Sequence, residues 1–239
     1  MTARALFQEG KVTEATQALA AYLRDHPTDV QQRTFLFELL CFAGQFDRAE
    51  KQLAVLAQGG DKTEMGAVLY YSALHAEKLR HDLFRNENFP HSPTTESGAG
   101  TLNGKPFQSI RDVDPDIGAR LEIFAAGAYL WIPFEHIESI EMDSPKRLRD
   151  TLWAPALVLT GPAFKQRELG QVLIPVVYPF SASHPDENVW LGRMTAWGED
   201  DRGRAVPSGQ KMLLVDGEEV PLLEVRKIEF AAGQAAAAE

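Results

Sequence analysis

The residues of this chain with the strongest claim to chemistry are its one cysteine, Cys41, and a histidine on a neighbouring predicted helix, His75. Cys41 would need such a base within reach to act as a nucleophile. Glu38 precedes it by about one helical turn. A lone cysteine on a helix face is more often a packed small side chain, and no cation adjoins this one in sequence. We therefore predict no catalytic residue, and no disulfide bond within the chain.

A second group, His184, Asp186 and Glu187, has the side-chain types of metal ligands and follows Pro179 closely. Its spacing matches no known ligand pattern, which favours a solvated acidic turn. His136 stands inside an aromatic-rich run and is interpreted as a capping or packing residue.

Three alternating aspartates, Asp112, Asp114 and Asp116, resemble the start of a calcium-binding loop. The glycine at Gly118 is not at the position that such a loop requires, and no glutamate closes the loop at its twelfth position. No glycine-rich loop follows a strand and opens a helix, so there is no nucleotide-binding fingerprint. The sequence predicts neither a metal site nor a cofactor.

A sequence pattern that recurs after 34 residues predicts the helices that position side chains in the first part of the chain. Residues 10–15, Gly-Lys-Val-Thr-Glu-Ala, are echoed by residues 44–49, Gly-Gln-Phe-Asp-Arg-Ala. This is the period of the tetratricopeptide repeat, a helix–turn–helix unit that buries its apolar face by stacking on its neighbours. Residues 1–89 are therefore predicted to form a tetratricopeptide-like α-α superhelix.

Local signals predict where the helices of this stack begin and end. Thr13 is a candidate N-cap for the second helix, and Asp29 or Thr28 for the third. A fifth helix is expected over residues 63–84. A complete third repeat would have a turn glycine near residue 78, but the chain has Lys78 there. We therefore interpret the fifth helix as a capping helix that ends an incomplete third unit.

After residue 89 the amino-acid composition of the sequence changes. Proline, glycine and serine crowd residues 90–106, which we predict to be a linker or irregular loop. Short apolar runs then alternate with turns, and Asp216-Gly217 is a strong signal for a two-residue hairpin. Residues 107–230 are predicted to form a small, mostly antiparallel β domain curled into a barrel, followed by a flexible tail at 231–239. The fold class is thus α+β, with two domains. The runs predicted as strands are 121–124, 128–132, 152–159, 171–178, 189–195, 211–215 and 220–230.

The charge of the chain limits its partners. It carries 24 basic and 34 acidic side chains, a formal net charge of −10. Nucleic acids and anionic membrane surfaces demand a basic face, so we expect neither as a partner. Residues 1–10 do not resemble a signal peptide, and no apolar run is long enough for a membrane span, so a cytoplasmic protein is expected.

The repeat register also predicts a binding surface. In such stacks the first helix of each unit lines the concave face, which is partly apolar here and suits an amphipathic helix. Phe42 is expected to be an exposed anchor in this groove. The alternative is that the second domain or another copy of the chain covers the face. The residues predicted to line it are Arg4, Phe7, Gln8, Thr34, Glu38, Phe42, Met65, Val68, Ser72 and His75.

The order of several motifs along the whole chain resembles that of the ImpE/TagJ family, accessory proteins of type VI secretion. The motifs stand at residues 6–15 (Leu-Phe-Gln-Glu-Gly-Lys with Glu-Ala), 131–137 (Trp-Ile-Pro-Phe-Glu-His-Ile), 148–153 (Leu-Arg-Asp-Thr-Leu-Trp), 174–179 (Ile-Pro-Val-Val-Tyr-Pro), 191–197 (Leu-Gly-Arg-Met-Thr-Ala-Trp) and 209–213 (Gly-Gln-Lys-Met-Leu). The repeats alone would be unspecific, whereas the later motifs in this order are specific.

The resemblance implies non-enzymatic work in the bacterial cytoplasm, beside the contractile sheath. It implies binding of an amino-terminal helix of the small sheath subunit, and a link to sheath handling by the ClpV disassembly ATPase. Two other classes stay open on the residues alone. One is a generic tetratricopeptide scaffold or co-chaperone that grips another peptide, and the other is a hydrolase that uses the β domain.

Overall fold

The described part of the first half of the chain is a stack of five helices, and the second half is built from antiparallel strands. The computed structural model describes residues 1–59, 61–90, 98–161, 164, 169–200 and 202–231, and of 61–65 only the backbone. The helices are α1 Ala3–Gln8, α2 Val12–Asp25, α3 Val30–Phe42, α4 Phe46–Ala57, α5 Asp61–Arg85 and, within the second half, α6 Glu187–Trp190. We call residues 1–90 the helical half and residues 98–231 the sheet half.

The helical half follows the predicted repeat. Its helices pack in chain order, α1 on α2, α2 on α3, α3 on α4 and α4 on α5. Gly10 and Gly44 turn the chain between paired helices with φ of +80° and +65°, a conformation that costs glycine little. The predicted cap at Asp29 is confirmed, since its carboxylate accepts a 3.0 Å hydrogen bond from the amide of Gln32.

The described residues of the sheet half form thirteen strands: β1 Gly100–Leu102, β2 Lys105–Phe107, β3 Ile110–Asp112, β4 Arg120–Ala125, β5 Ala128–Pro133, β6 Ile137–Met142, β7 Trp153–Thr160, β8 Gly170–Pro175, β9 Thr195–Glu199, β10 Ala205–Gly209, β11 Met212–Val215, β12 Glu218–Pro221 and β13 Lys227–Phe230. Eight of them form one sheet in the order β2-β1-β13-β6-β7-β8-β4-β5. The other strands form a separate three-stranded sheet, β12-β11-β3, and a two-stranded ribbon, β10-β9. The predicted hairpin at Asp216-Gly217 is confirmed as the turn between β11 and β12.

The predicted barrel is not found. The large sheet is open, with β2 and β5 at its edges and no pairing between them among the described residues. Helix α5 packs against β4 and β5 at that end of the sheet.

Two further predictions are wrong in detail. Residues 100–107, placed largely in the irregular linker, form the hairpin β1–β2 around Asn103-Gly104, and Asn-Gly is a turn signal that the surrounding prolines and glycines obscured. The run 189–195, predicted as a strand, begins inside α6, which Asp186 caps by accepting a 2.8 Å hydrogen bond from the amide of Asn188. Residues 91–97 and 232–239, of the linker and tail, lie outside the described residues.

The two halves share one apolar core. Phe42, Leu40 and Leu74 of the helices belong to the same buried cluster as Trp153 and Val177 of the sheet half. A second core lies within the sheet half alone and includes residues of the eight-stranded sheet and of β11. The two domains predicted from the sequence are therefore in extensive buried contact with each other.

Candidate interaction surfaces and the junction behind them

The middle of the predicted concave face is filled by the sheet half. Phe42 is only 3% exposed and lines a small cavity together with Leu152 and Val177. Glu38 is buried and pairs with Arg149, whose guanidinium lies 3.6 Å away. The prediction of Phe42 as an exposed anchor is wrong, because the chain provides its own occupant for this part of the groove.

An arginine of the sheet half binds the end of the first helix of the first repeat unit. Arg193 donates hydrogen bonds of 2.8 and 3.1 Å to the carbonyls of Phe7 and Gln8, at the end of α1. Its guanidinium also lies 4.8 Å from the centre of the Phe7 ring. A cation at the carboxyl end of a helix satisfies carbonyls that have no partner within the helix. Arg4, in the same predicted set, is exposed and stacks over Phe35.

Residues 180–193, which we call the clasp, run past the turns of both repeat units. A Cβ atom at Gly10 would come within 2.5 Å of the Asn188 amide oxygen, and one at Gly44 within 3.3 Å of the Ala182 methyl group. The two glycines of the 34-residue pattern thus both face the clasp. The absence of a side chain at these two glycines therefore permits the close approach of the clasp as well as the turn.

The clasp also caps α2. Thr13, predicted to be the N-cap, lies inside this helix, which begins at Val12 and has no side-chain cap of its own. The carboxylate of Glu187 takes that role, accepting one hydrogen bond from the Thr13 amide at 3.0 Å and another from its hydroxyl. An acidic group at the amino end of a helix also interacts favourably with the helix dipole.

A buried ionic network joins α5 to the sheet. Arg80 binds both carboxylate oxygens of Glu122 on β4, at 2.7 and 3.1 Å, and donates 3.1 and 2.9 Å hydrogen bonds to Glu77 and to the carbonyl of Val177. Lys211 lies between Glu122 and Asp112, 2.7 Å from the latter. These ionisable side chains are all almost completely buried.

Neutral donors complete the network. The indole of Trp153 donates a 2.9 Å hydrogen bond to Glu77, and the hydroxyl of Tyr178 donates one of 2.7 Å to Asp112. Tyr129 donates a further hydrogen bond to Glu122. Buried charges are tolerated when they are paired and their remaining valences are satisfied, as here.

The network has strong effects on proton affinity. Burial alone would raise the pKa of Glu122, but Arg80 and Lys211 outweigh it and lower the pKa to about 2. For Asp112, burial outweighs the attraction of Lys211, and its pKa is raised. Burial also raises the pKa of Asp114, beside Asp112 in the chain, to about 6.

Sequence reasoning missed this network, although it left a signal. Glu122 interrupts an apolar run between Leu121 and Ile123, and a charge in a buried strand requires a partner of opposite sign. Arg80 and Glu77 lie among buried residues of α5 in the same way. The partners of Glu122 could not be chosen from sequence, because Arg80 and Lys211 are separated from it by 42 and 89 residues.

The third part of the predicted set lies on α5. Val68 is 61% exposed, His75 is also exposed, and Ser72 is half-buried. Thr34, on α3, is half-buried and donates its hydroxyl to the carbonyl of Val30. The side chain of Met65 lies outside the described residues. The structure therefore divides the ten predicted residues among a filled groove, the clasp and the outer side of α5.

The side chains that the sequence offered as catalytic or metal-binding candidates are buried or hydrogen-bonded within the fold. Cys41 is buried, and burial raises the pKa of its thiol well above the ordinary value, which keeps it protonated and a poor nucleophile. The ring of His184 accepts a hydrogen bond from the amide of Asp186, within the clasp. Across the described residues, no group of three or more histidine, cysteine or acidic side chains could hold a metal ion.

The fold and its surfaces define a class of protein: a short tetratricopeptide-like stack fixed through a buried ionic junction to an antiparallel sheet. Comparison with known families gives two matches, a tetratricopeptide repeat model over residues 6–69 and the ImpE protein model over residues 104–229. The chain belongs to the ImpE family.

Individual relatives agree with this assignment. The chain is 26% identical to the type VI secretion system accessory component TagJ of Pseudomonas aeruginosa, in an alignment covering 96% of this chain and 91% of that protein. The crystal structure of protein VPA1032 from Vibrio parahaemolyticus superposes with a TM-score of 0.84 at 21% identity, over 98% of both chains. This second likeness supports the fold. Among the described residues, no helix is long and apolar enough to cross a membrane.

Proposed function

We propose that this protein is a non-enzymatic accessory component of a bacterial type VI secretion system, acting in the cytoplasm as an adaptor for the contractile sheath. The observation that carries the proposal is the relationship to TagJ, which spans nearly the whole of both chains and therefore includes both halves and the junction between them. An accessory role also suits the repeat stack, since stacked helical repeats present extended surfaces to other proteins.

The proposed partner is the small sheath subunit, bound through its amino-terminal amphipathic helix. The proposed consequence is a link to sheath handling by the ClpV ATPase, made through the sheath subunit. Both follow from the family resemblance. In the structure, half-buried Phe7 and exposed Val68 offer apolar side chains to a helix at the two ends of the stack.

A co-chaperone that grips an acidic peptide is less well supported. Such a clamp needs several free cations on the concave face of the repeats. Here Arg149 of the sheet half lies at that face, and it already pairs with Glu38 and stacks over Tyr70 at 4.5 Å.

The proposal is tested by mixing the purified full chain with the purified small sheath subunit and analysing the mixture by size-exclusion chromatography with light scattering. We expect a stable complex, and no complex when the subunit lacks its amino-terminal helix. Separate elution of the intact proteins at tens of micromolar would contradict the proposal.

A further inference from the structure

The two-stranded ribbon β9–β10 has two outer edges, and its hydrogen bonds show which residues lie on them. In an antiparallel pair every second residue bonds to its neighbour, and the residues between point their N–H and C=O groups away. At the ends of the ribbon the amides of Asp200 and Gln210 donate to the carbonyls of Arg204 and Met194, at 3.0 and 3.1 Å. Because the register between these ends is regular, the even-numbered residues bond within the ribbon and the odd-numbered ones face outward.

The outer edge of β10 is closed. Gly209 accepts a 2.8 Å hydrogen bond from the amide of Tyr178 and donates one of 2.7 Å to the hydroxyl of Ser181 in the clasp. Pro207, the next outward residue, has no N–H group to offer. The edge strands β2 and β12 also contain a proline each, and a proline at an edge hinders pairing with a further strand.

The outer edge of β9 is open. Its outward residues are Thr195, Trp197 and Glu199, and we call their three N–H and three C=O groups the β9 edge. Among the described residues, none of these backbone groups has a hydrogen-bond partner. The strand contains neither proline nor lysine, the residues that commonly protect an edge. An edge of this kind is a template for another strand.

An exposed tryptophan stands at the centre of this edge. The indoles of Trp131, Trp153 and Trp190 each donate a hydrogen bond within the chain. Trp197 donates none to the described residues and is 48% exposed. It lies directly opposite Pro207, so the two side chains share one face of the ribbon. A large exposed ring beside unpaired backbone groups indicates an interaction surface.

The β9 edge is complementary to itself. Its three outward residues are symmetric about Trp197, so a second copy of β9 can run antiparallel with its Trp197 opposite this one. Thr195 of each copy then faces Glu199 of the other, and every backbone group of both edges finds a partner. The two indoles lie side by side on one face, as a cross-strand aromatic pair.

The charges agree with this register. Glu199 is the one charged residue of β9, and it would face a threonine rather than the same carboxylate of the second copy. Like charges placed directly opposite would be destabilising. The described charges of the turn beyond β9, namely Asp200, Arg202 and Arg204, are already in ion pairs within the chain.

We propose that two copies of this chain associate through the β9 edge, about a two-fold axis that passes beside Trp197. The two ribbons then form one four-stranded sheet in the order β10-β9-β9-β10. A two-stranded ribbon is marginally stable by itself, and further strands stabilise it. The contact uses the same patch on both copies, and the closed edge of β10 ends the sheet at four strands. This inference is independent of the proposed function.

The test is sedimentation equilibrium of the full chain at tens of micromolar, where we expect a reversible dimer. Trp197→Lys places two like charges opposite each other and should weaken the dimer at least about tenfold. The matched control is Val206→Lys, which changes an exposed residue of the same ribbon on its other face. It should stay within about twofold of the unchanged protein. Mixing Trp197→Lys with Trp197→Glu should recover part of the lost affinity, because position 197 then faces an opposite charge.

A monomeric unchanged protein, or undiminished association of Trp197→Lys, would overturn the proposal. No recovery in the mixture would contradict the pairing of position 197 with itself. A monomer whose Trp197→Lys variant binds the small sheath subunit less tightly would assign the edge to another protein, and so also overturn it.

If circular dichroism shows that Trp197→Lys does not fold, Trp197→Cys replaces it. The Cα atoms of two directly bonded residues lie about 5.5 Å apart, within the range of a disulfide bond. Oxidation should therefore give a covalent dimer, to which buried Cys41 does not contribute. Absence of this dimer on a non-reducing gel would overturn the proposal.

Discussion

The guanidinium of Arg80 and the carboxylate of Glu122 form a two-pronged ion pair in the buried junction between α5 and β4, with hydrogen bonds of 2.7 and 3.1 Å. Both side chains are 1% exposed. An arginine binding a carboxylate in this way fixes direction as well as distance. The pair therefore sets the position of the last helix of the stack relative to the sheet.

Replacing Arg80 with methionine should destabilise the protein by about 3–5 kcal/mol, because Glu122 and Glu77 would remain buried without their main cation. Urea unfolding followed by tryptophan fluorescence measures this. The control is Lys146→Met, which removes an exposed pair with Asp143 and should cost less than about 1 kcal/mol. Similar losses for the two variants would show that the junction contributes little.

Stability should also depend on pH through Asp114. Because its folded-state pKa of about 6 lies above the ordinary 3.8, the folded protein holds this proton more tightly than the unfolded chain. Ionisation should therefore cost stability as pH rises from about 4 to 6, by roughly 3 kcal/mol at most. Asp114→Asn keeps an oxygen for the hydrogen bond from the Asp116 amide and removes the titration.

The measurement is the free energy of unfolding of the unchanged protein and of Asp114→Asn at pH 4, 5, 6 and 7. The advantage of the variant should grow across this range and level off above pH 6. Glu122 acts in the opposite direction, since its lowered pKa gives stability that is present above about 4.5 and lost as pH falls toward 2. A constant difference between the two proteins from pH 4 to 7 would contradict the role of Asp114.

The contact of the clasp with the first repeat turn can be tested at Gly10. Gly10→Ala adds a methyl group that meets Asn188, and it also strains a backbone with φ of +80°. Gly104→Ala is the matched control, because its φ is +81° and no atom lies within 4 Å of the added group. The strain alone costs about 1–2 kcal/mol, so the control reports it and Gly10→Ala should lose more.

A double-mutant cycle with Asn188→Ala should recover part of the excess loss at Gly10, with a coupling energy above about 0.5 kcal/mol. Additive losses would mean that Asn188 does not restrict position 10.

Phe42→Glu should unfold the protein rather than weaken a binding surface. The carboxylate would be placed unpaired among Leu152 and Val177, a change whose cost is several kcal/mol. Circular dichroism and thermal unfolding decide the matter. A folded variant with the melting temperature of the unchanged protein would contradict the burial of Phe42 and indicate that it lies on the surface.

The regular parts of the fold could be predicted from the sequence because their signals are local. The turn glycines of the repeat, the cap at Asp29 and the Asp216-Gly217 hairpin all depend on residues within one element or one turn. That the sheet stays open could not be predicted, since the pairing of its edge strands depends on residues far apart in the sequence. Likewise, the concave face was predicted from the repeat register of the helices alone, and that register does not indicate that Arg149 and Leu152 fill its middle.

The most direct test of the account is calorimetric titration of the purified small sheath subunit into the full chain, repeated with the subunit lacking its amino-terminal helix. We predict saturable binding, with a dissociation constant in the micromolar range or tighter, that disappears when the helix is removed. Absence of measurable heat with the intact subunit at several temperatures, or equal binding without the helix, would contradict the account.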